Sequence, residues 1–236
     1  MSEGALSGRT ALVTGASRGI GAATAIALGS QGAHVILTAR TAGGLEEVEE
    51  TIFAAGGSAT IAPLDLTEND SIARLAEAIS GRWTALDVLV LNAAQLGTLS
   101  AVPAIDFKEY AKILTLNVTA QAAMLAAFDP MLKASSGARV IGVTSSVGRT
   151  ARAYWGVYGS SKAAFENLLL TYGEEVAHIS GIRVGILDPG ATRTKMRARA
   201  FPGEDPAMVK APEVVAERIA ALAASGFEAG HFERVE

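Results

Sequence analysis

The chain predicts a doubly wound α/β fold, with a parallel sheet of about seven strands lying between two layers of helices. Three observations predict it. Short, near-continuous apolar runs recur along the sequence, and a stretch of helical length follows almost every one. The 236 residues contain no Pro/Gly/Ser-rich linker, low-complexity tract or repeat, so one domain over 1–236 is expected. Half the residues are hydrophobic and 19% are charged, a globular balance. Apolar strands alternating with helices require a sheet covered on both faces, wound by right-handed crossovers.

The elements follow in order. "TALVTG" (10–15) is an apolar run ending in glycine, the first strand, and the alanine-rich "IGAATAIALGSQG" is its helix. "AHVILTAR" is the second strand. "GGLEEVEETIFAAGG" is an amphipathic helix with Leu45, Val48 and Ile52 on one face. "SATIAPLD" is the third strand, and a helix near 68–81 leads to "DVLVLNAA". A long helical region over 106–134 precedes the strand "ARVIGVTSS", and a helix over 157–179 precedes the strand "IRVGILDPG". A polar segment, a helix near 212–225 and an edge strand in "FEAGHFERV" complete the pattern. Ligands of such sheets bind beyond the carboxyl ends of the strands, which places candidate sites just after residues 14, 39, 64, 91, 144 and 187.

Composition narrows the function. The formal net charge is −4 with no basic block, which argues against nucleic-acid and anionic-membrane partners. With no cysteine and three scattered histidines (His34, His178, His231), thiolate metal sites and a Ser-His-Asp triad are not expected. "MSEGALSGRT" lacks the basic and apolar regions of a signal peptide. The most apolar runs are about half the length of a membrane span, so a cytoplasmic protein is expected.

"TGASRGIG" (14–21) places Gly15, Gly19 and Gly21 where the first strand turns into a helix. Glycines allow a tight turn and close approach of a pyrophosphate to the free N–H groups and positive dipole of the helix N-terminus. An acidic residue at the end of the second strand would bind a ribose 2′-hydroxyl, whereas a basic one accommodates a 2′-phosphate. Here that strand ends in Ala39 and Arg40, and Arg18 lies in the glycine turn. Two guanidiniums and no carboxylate favour NADP(H) over NAD(H).

The chain resembles the short-chain dehydrogenase/reductase family in its compact, single-domain form, from about residue 9 to 233. The motifs come in the family's order: "TGASRGIG", Asp65 in "LDLT", "LNAAQ" (91–95), Asn117 in "TLNVTA", "VTSSVG" (143–148), "YGSSK" (158–162) and "PGATRT" (189–194). The segment from "SSVGRTARAYWGVYGSSK" to "FPGEDP" is similar to a bacterial branch of unassigned substrate. The resemblance implies a Rossmann sheet in the order 3-2-1-4-5-6-7. It also implies cofactor contacts from Gly15, Ser17, Arg18, Gly19, Ile20, Gly21, Arg40, Asp65, Leu66, Asn92, Tyr158, Lys162, Pro189, Gly190, Thr192 and Thr194. One departure stands out: Leu91 and Ala94 replace an asparagine and a glycine of the family's N-N-A-G, and the Ala94 methyl is expected to crowd backbone passing near the cofactor.

The reaction implied is hydride transfer between a nicotinamide and a carbonyl or alcohol carbon, with Asn117, Ser145, Tyr158 and Lys162 as the catalytic set. Tyr158 would be the acid/base. Lys162, one helical turn on, would lower its pKa and reach the nicotinamide ribose. Ser145, three residues before Gly148 and thirteen before Tyr158, would polarise the substrate oxygen; Ser146 would face elsewhere. Asn117 would hold a relay water. Tyr154, Trp155 and Val157 wall the substrate pocket or enter the core, and Tyr154 becomes a candidate wall. "RTKMRARAFPGEDPAMVKAP" (193–212) reads as a mobile lid, with Arg197 and Arg199 facing an acidic substrate group or solvent. Two other readings differ in class. One is a catalytically silent NADP-binding sensor, against which the intact tyrosine, lysine, serine and asparagine argue. The other is a sugar-nucleotide epimerase or dehydratase, whose added substrate domain of about a hundred residues is not expected in a chain of this length. The helices at 106–134 and 157–179 carry more alanine and leucine than one sheet face needs, so a homodimer or homotetramer is expected.

Overall fold

Seven strands assemble as that alternation requires: β1 (Thr10–Thr14), β2 (His34–Ala39), β3 (Ser58–Pro63), β4 (Val88–Leu91), β5 (Arg139–Val143), β6 (Arg183–Asp188) and β7 (His231–Arg234). They pair in one sheet, β3-β2-β1-β4-β5-β6-β7, parallel throughout. The computed structural model describes residues 4–68 and 70–236. The first three residues of "MSEGALSGRT", and Asn69 in the helix expected at 68–81, lie outside the described residues.

The helices are α1 (Gly19–Ser30), α2 (Ala42–Ala54), α3 (Ser71–Ser80), α4 (Phe107–Leu114), α5 (Ala120–Ala134), α6 (Gly156–Ala177), α7 (Lys195–Ala200) and α8 (Pro212–Ser225). Strand side chains alternate between two cores. Ala11 and Val13 of β1, with Val88 and Val90 of β4, join the core beneath α1, α2 and α8. Leu12, Leu89 and Leu91 join the core beneath α3, α5 and α6. Full burial of a leucine or valine side chain contributes about 1.5–3 kcal/mol, so a one-residue slip of β1 or β4 would change which core each side chain serves. In the edge strand β7, residues 231–234 alternate between half-buried and exposed.

Two details position the site. In β5, a Cβ on Gly142 would fall 2.2 Å from Leu169 Cδ1; the missing side chain lets α6, which carries Tyr158 and Lys162, lie close on the sheet. The expected helix at 106–134 is one rod interrupted by a π turn at Thr115–Thr119, and Asn117 sits in that turn. π turns recur at functional sites.

The rod also corrects the reading of the apolar runs. Phe107–Ala134, 28 residues containing an 18-residue window of mean hydropathy 1.3, is long and apolar enough by length and composition to cross a membrane. Here it serves as a core helix: Ile113, Leu116, Met124, Leu125, Phe128, Met131 and Leu132 are buried, most of them against the sheet core. The short strand runs gave no sign of this, because the rod's apolar residues are spaced around a helix.

Candidate active site

All six strand tips open on one cleft of about 1360 Å³, lined by Gly15, Ala39, Leu64, Asn92, Thr144 and Pro189 among others. The glycine turn forms its first wall. Gly15 (φ +67°) and Gly19 (φ +58°) have left-handed backbone. Gly21 is required by crowding, since a Cβ there would lie 2.3 Å from the Gly15 carbonyl oxygen and 2.5 Å from Asn92 Nδ2. Helix α1 begins at Gly19, with no side-chain hydrogen bond from its N-cap, Arg18, and no acidic residue in its first turn. Its first N–H groups and positive dipole are therefore open to an anion. A cradle this bare and close-packed fits a dinucleotide pyrophosphate.

Asn92 supports this turn. Its Nδ2 donates to the Thr14 carbonyl (2.9 Å), and its backbone N–H donates to Thr14 Oγ1 (2.9 Å). Thr14 Oγ1 also accepts from Ala93 N (3.0 Å) and donates to the Val90 carbonyl (3.2 Å). Thr14 thus locks the tips of β1 and β4 together, a role the sequence did not single out. Ala94 lines the cleft beside Ala93 and Gln95. Ser17, Arg18, Ile20, Arg40, Asp65 and Leu66 line it as well. Arg40 is exposed, with Nη1 4.0 Å from Asp65 Oδ2. Against the upward push of burial, hydrogen bonds from Thr67 and the charge of Arg40 hold Asp65 below the ordinary carboxylate range.

The loop after β6 closes the other side. Pro189, Gly190, Thr192 and Thr194 all line the cleft. Thr192 Oγ1 donates to the Pro189 carbonyl (2.9 Å), and Thr194 Oγ1 caps α7 by accepting from Arg197 N (3.1 Å). A methyl placed on Gly19 would meet the Thr194 methyl at 3.4 Å, so the first and last loops nearly touch.

Ser145, Tyr158 and Lys162 line the cleft together, while Ser146 begins a 3₁₀ turn and does not. Among the described residues, neither Ser145 Oγ nor the Tyr158 hydroxyl bonds to another protein group, so both are available to a substrate oxygen. Asn117 is 1% exposed. Its Oδ1 accepts from Gln95 N, and its Nδ2 donates to the Gln95 carbonyl and to Ser161 Oγ, each at 2.9 Å. Ser161 Oγ in turn donates to the Tyr158 carbonyl (2.8 Å). The Asn117 side chain is therefore a strut between the 92–95 loop and α6. Both of its N–H groups are engaged, and only residual acceptor capacity on Oδ1 remains.

The electrostatics correct a second expectation. Lys162 Nζ donates to the Val143 carbonyl (2.8 Å) and lies 5.9 Å from the Tyr158 ring centroid. Burial lowers the lysine to about 8, opposed by the carboxylate of Glu166. Burial and the charge of Asp188 raise the Tyr158 phenol above its ordinary value. Desolvation, and then the charge of Asp188, thus hold the phenol protonated, opposite to the lowering expected from Lys162.

Glu166, four residues beyond Lys162 on the same helix face, went unread in the sequence, although its spacing marks it. It is 6% exposed. Its Oε1 accepts from Thr144 Oγ1 (2.5 Å) and its Oε2 from Arg149 Nε (2.6 Å). Thr144 precedes Ser145, so this buried carboxylate fixes both flanks of the serine turn.

Trp155 lines the cleft, but Tyr154 does not. Tyr154 is 64% exposed, which removes it as a pocket wall. Val157 is buried among core residues. The expected lid at 193–212 is a structured cover. Arg197 pairs bidentately with Glu204 (2.7 and 2.5 Å) and stacks 3.7 Å from the Phe201 centroid. Its charge is thereby neutralised within the protein, leaving Arg199 as the freer of the two candidate arginines.

Fold and cleft together define a class: doubly wound α/β proteins that hold a nucleotide over the tips of a parallel sheet and place a tyrosine–lysine pair beside it. The family model for short chain dehydrogenases matches residues 9–205, and the chain belongs to that family. It is 35% identical over 210 residues to an uncharacterised oxidoreductase, YciK, of Escherichia coli K12, covering 88% of this chain and 82% of the relative. A short chain dehydrogenase structure from Pseudomonas syringae superposes with a TM-score of 0.94 at 35% identity, covering 99% of this chain and 97% of that one. A short chain dehydrogenase of Shigella flexneri 2a, crystallised with NADP, superposes with a TM-score of 0.94 at 32% identity, covering 99% of both chains.

Proposed function

We propose that this protein is an NADP-dependent oxidoreductase interconverting a carbonyl and a secondary alcohol. One observation carries the reading: the free hydroxyls of Ser145 and Tyr158 share a cleft with Lys162, alongside the bare glycine turn. The glycine turn and α1 N-terminus would hold the pyrophosphate, Arg18 and Arg40 the 2′-phosphate, Asp65 and Leu66 the adenine, and the 189–194 loop the nicotinamide end. The NADP-bound Shigella relative supports this choice. When bound, the nicotinamide supplies or accepts the hydride.

The chain supplies the rest. Tyr158, kept protonated by burial, donates its phenolic proton to the substrate oxygen during reduction. Ser145 Oγ–H donates a hydrogen bond to the same oxygen and spreads its developing charge. Lys162 orients the ribose and stabilises the phenolate that remains until solvent returns a proton. Asn117 positions Tyr158 through Ser161. The net charge of −4 and the lack of a basic tract suit a cytoplasmic enzyme of small molecules, assembled as a homodimer or homotetramer.

The test is NADPH oxidation against a carbonyl panel, with Tyr158→Phe beside wild type. Loss of a general acid costs about 10²–10⁴-fold in turnover, while NADPH affinity should stay within a few-fold. Full turnover in Tyr158→Phe would refute the assignment. Tight NADPH binding with no turnover by wild type would favour a silent sensor.

A further inference from the structure

We infer that the substrate of this cleft carries an anionic group, a carboxylate or a phosphate, remote from its reacting carbonyl, and that Arg199 and Arg152 bind it. This rests on the oxidoreductase reading above and narrows its substrate. The chain as a whole is acidic, with a net charge of −4, yet the cleft is basic. Nine of the twenty lysines and arginines line it, against three of the twenty-four acidic residues. Arg18, Arg40, Lys162 and Asp65 belong to the cofactor's path. On the α4 wall, Lys108 and Lys112 are matched by Asp106 and Glu109. Asp106 caps α4 by accepting from Lys108 N (2.8 Å) and Glu109 N (3.3 Å), and Glu109 Oε1 accepts from Thr98 Oγ1 (3.1 Å). Gln95 adds a neutral amide.

The α7 wall has no such balance. Arg193, Lys195, Arg197 and Arg199 line the cleft there, and no acidic residue of that segment does. Glu204 neutralises Arg197 alone. Among the described residues, Arg193, Lys195 and Arg199 form no ion pair. Lys195 and Arg199 stand four residues apart, a like-charge spacing that destabilises a helix. An anion entering the cleft relieves that repulsion. Direction separates Arg199 from the cofactor loops. Thr194, just before α7, faces the glycine turn, where a methyl on Gly19 would meet it at 3.4 Å. Arg199 lies about 7.5 Å further along the helix axis. Its neighbour Ala200 packs with Met196 against the cluster of Tyr158, Leu96 and Val147. Arg199 thus stands at the tyrosine end.

Arg152 reaches that end from the segment before α6. Its guanidinium carbon lies 5.7 Å from the Trp155 centroid and 5.8 Å from that of Phe201. Trp155 lines the cleft and meets Tyr158 edge-on, with centroids 6.1 Å apart and planes at 64°. It also packs against Phe201 at 5.7 Å. Phe201 therefore meets two arginines with different duties. Arg197, 3.7 Å from its centroid, is paired with Glu204 and holds the wall. Arg152 is exposed and, among the described residues, forms no ion pair, so its charge is kept for a ligand. The backbone fixes its place. Trp155 N donates to the Arg152 carbonyl (3.1 Å), and the Tyr154 carbonyl accepts from Ser100 N (3.1 Å). Tyr154, between them, has φ +72°, a conformation bulky residues rarely adopt outside functional segments. Two guanidiniums on one wall suit a carboxylate or a phosphate, each of which a guanidinium binds bidentately.

The test uses two matched pairs of ketones: γ-acetylbutyrate against its methyl ester, and dihydroxyacetone phosphate against dihydroxyacetone. Trp83 packs on His34 and does not line the cleft, so in a Trp83→Phe protein Trp155 is the sole tryptophan and reports ligands by its emission. Affinities are read with oxidised NADP bound, which cannot reduce a ketone. In at least one pair the anion should bind about tenfold or more tighter than its neutral partner, and the pair that discriminates identifies the group. Arg199→Gln and Arg152→Gln should each lower that ratio about tenfold, with the Kd for NADP within a few-fold. Equal affinities within both pairs, no response to any ketone, or a ratio unmoved in either variant overturns the proposal. A Kd for NADP that rises as the ratio falls would assign these arginines to the cofactor and overturn it as well. With NADPH, kcat/KM should follow the same preference. Anion preference in binding together with no turnover across the carbonyl panel would refute the oxidoreductase reading and keep the anion site.

Discussion

Lys162 points its ammonium at the Val143 carbonyl, 2.8 Å away, and holds it 5.9 Å from the ring centroid of Tyr158. Both residues are buried, so each resists the charged form that a tyrosine–lysine pair is usually invoked to provide.

The same burial fixes a pH dependence of stability. Lys162 titrates near 8 in the folded protein against an ordinary 10.5. Between those values the unfolded chain holds a proton that the folded chain has shed, so stability rises with pH across that window. Tyr158 acts in the opposite sense. Its folded value is raised, so above about pH 10 the unfolded chain ionises first and stability falls. Urea midpoints measured from pH 8 to 10 should climb for the cofactor-free protein and climb less for Lys162→Met. An equal climb in both would show that the lysine is not desolvated.

Glu166→Gln tests the clamp on the serine turn. The variant keeps the shape but removes the charge that Arg149 and Thr144 share and that opposes the downward shift of Lys162. Hydrogen bonds to a charged partner are worth about 1.5–3 kcal/mol, so kcat/KM should fall about tenfold at neutral pH. The alkaline limb of its pH profile should move to lower pH. Loss of thermal stability with an unmoved profile would reduce Glu166 to a packing role.

Arg40→Asp tests cofactor choice. A 2′-phosphate loses a charge-assisted bond and gains a repulsion, whereas a 2′-hydroxyl gains an acceptor. The Kd for NADPH should rise about tenfold to a hundredfold and that for NADH should change little. Equal losses by calorimetric titration would remove Arg40 from 2′-phosphate recognition.

Gly21→Ala tests the cradle. The new methyl would sit 2.3 Å from the Gly15 carbonyl oxygen, and overpacking of this kind costs about 1–3 kcal/mol. Calorimetry should show a lower Tm and a weaker NADPH complex. Gly43→Ala is the control, because nothing lies within 4 Å of a Cβ there; its Tm should be unchanged or slightly higher.

The outer groove between α5 and α6, lined by Ala122, Ala126, Leu168 and Ile179, is the surface on which a homodimer is expected to form. Ile179 is 71% exposed there, and Ala126 is exposed as well. Sedimentation should give a dimer or tetramer, and Ala126→Arg should shift it towards monomer. A monomeric wild type would contradict the expectation.

The sequence alone determined the layer order, the parallel sheet and the composition of each loop at its carboxyl edge. Those depend on local signals: apolar runs of strand length, glycines at turns, and a four-residue step from Tyr158 to Lys162. Only the tertiary structure decided what each of those residues does beside its neighbours. Thr14 and Asn92 meet across 78 residues of chain. Asn117 proved to be a strut, Tyr154 an exposed residue with strained backbone, and Arg197 the partner of Glu204. Glu166 entered the site unannounced. The physical reason is clearest for Thr14, Asn117 and Glu166. Hydrogen-bond partners and desolvation are set by atoms far away in sequence, so spacing can place a side chain on a face but cannot say what that face will meet or how much water it will lose.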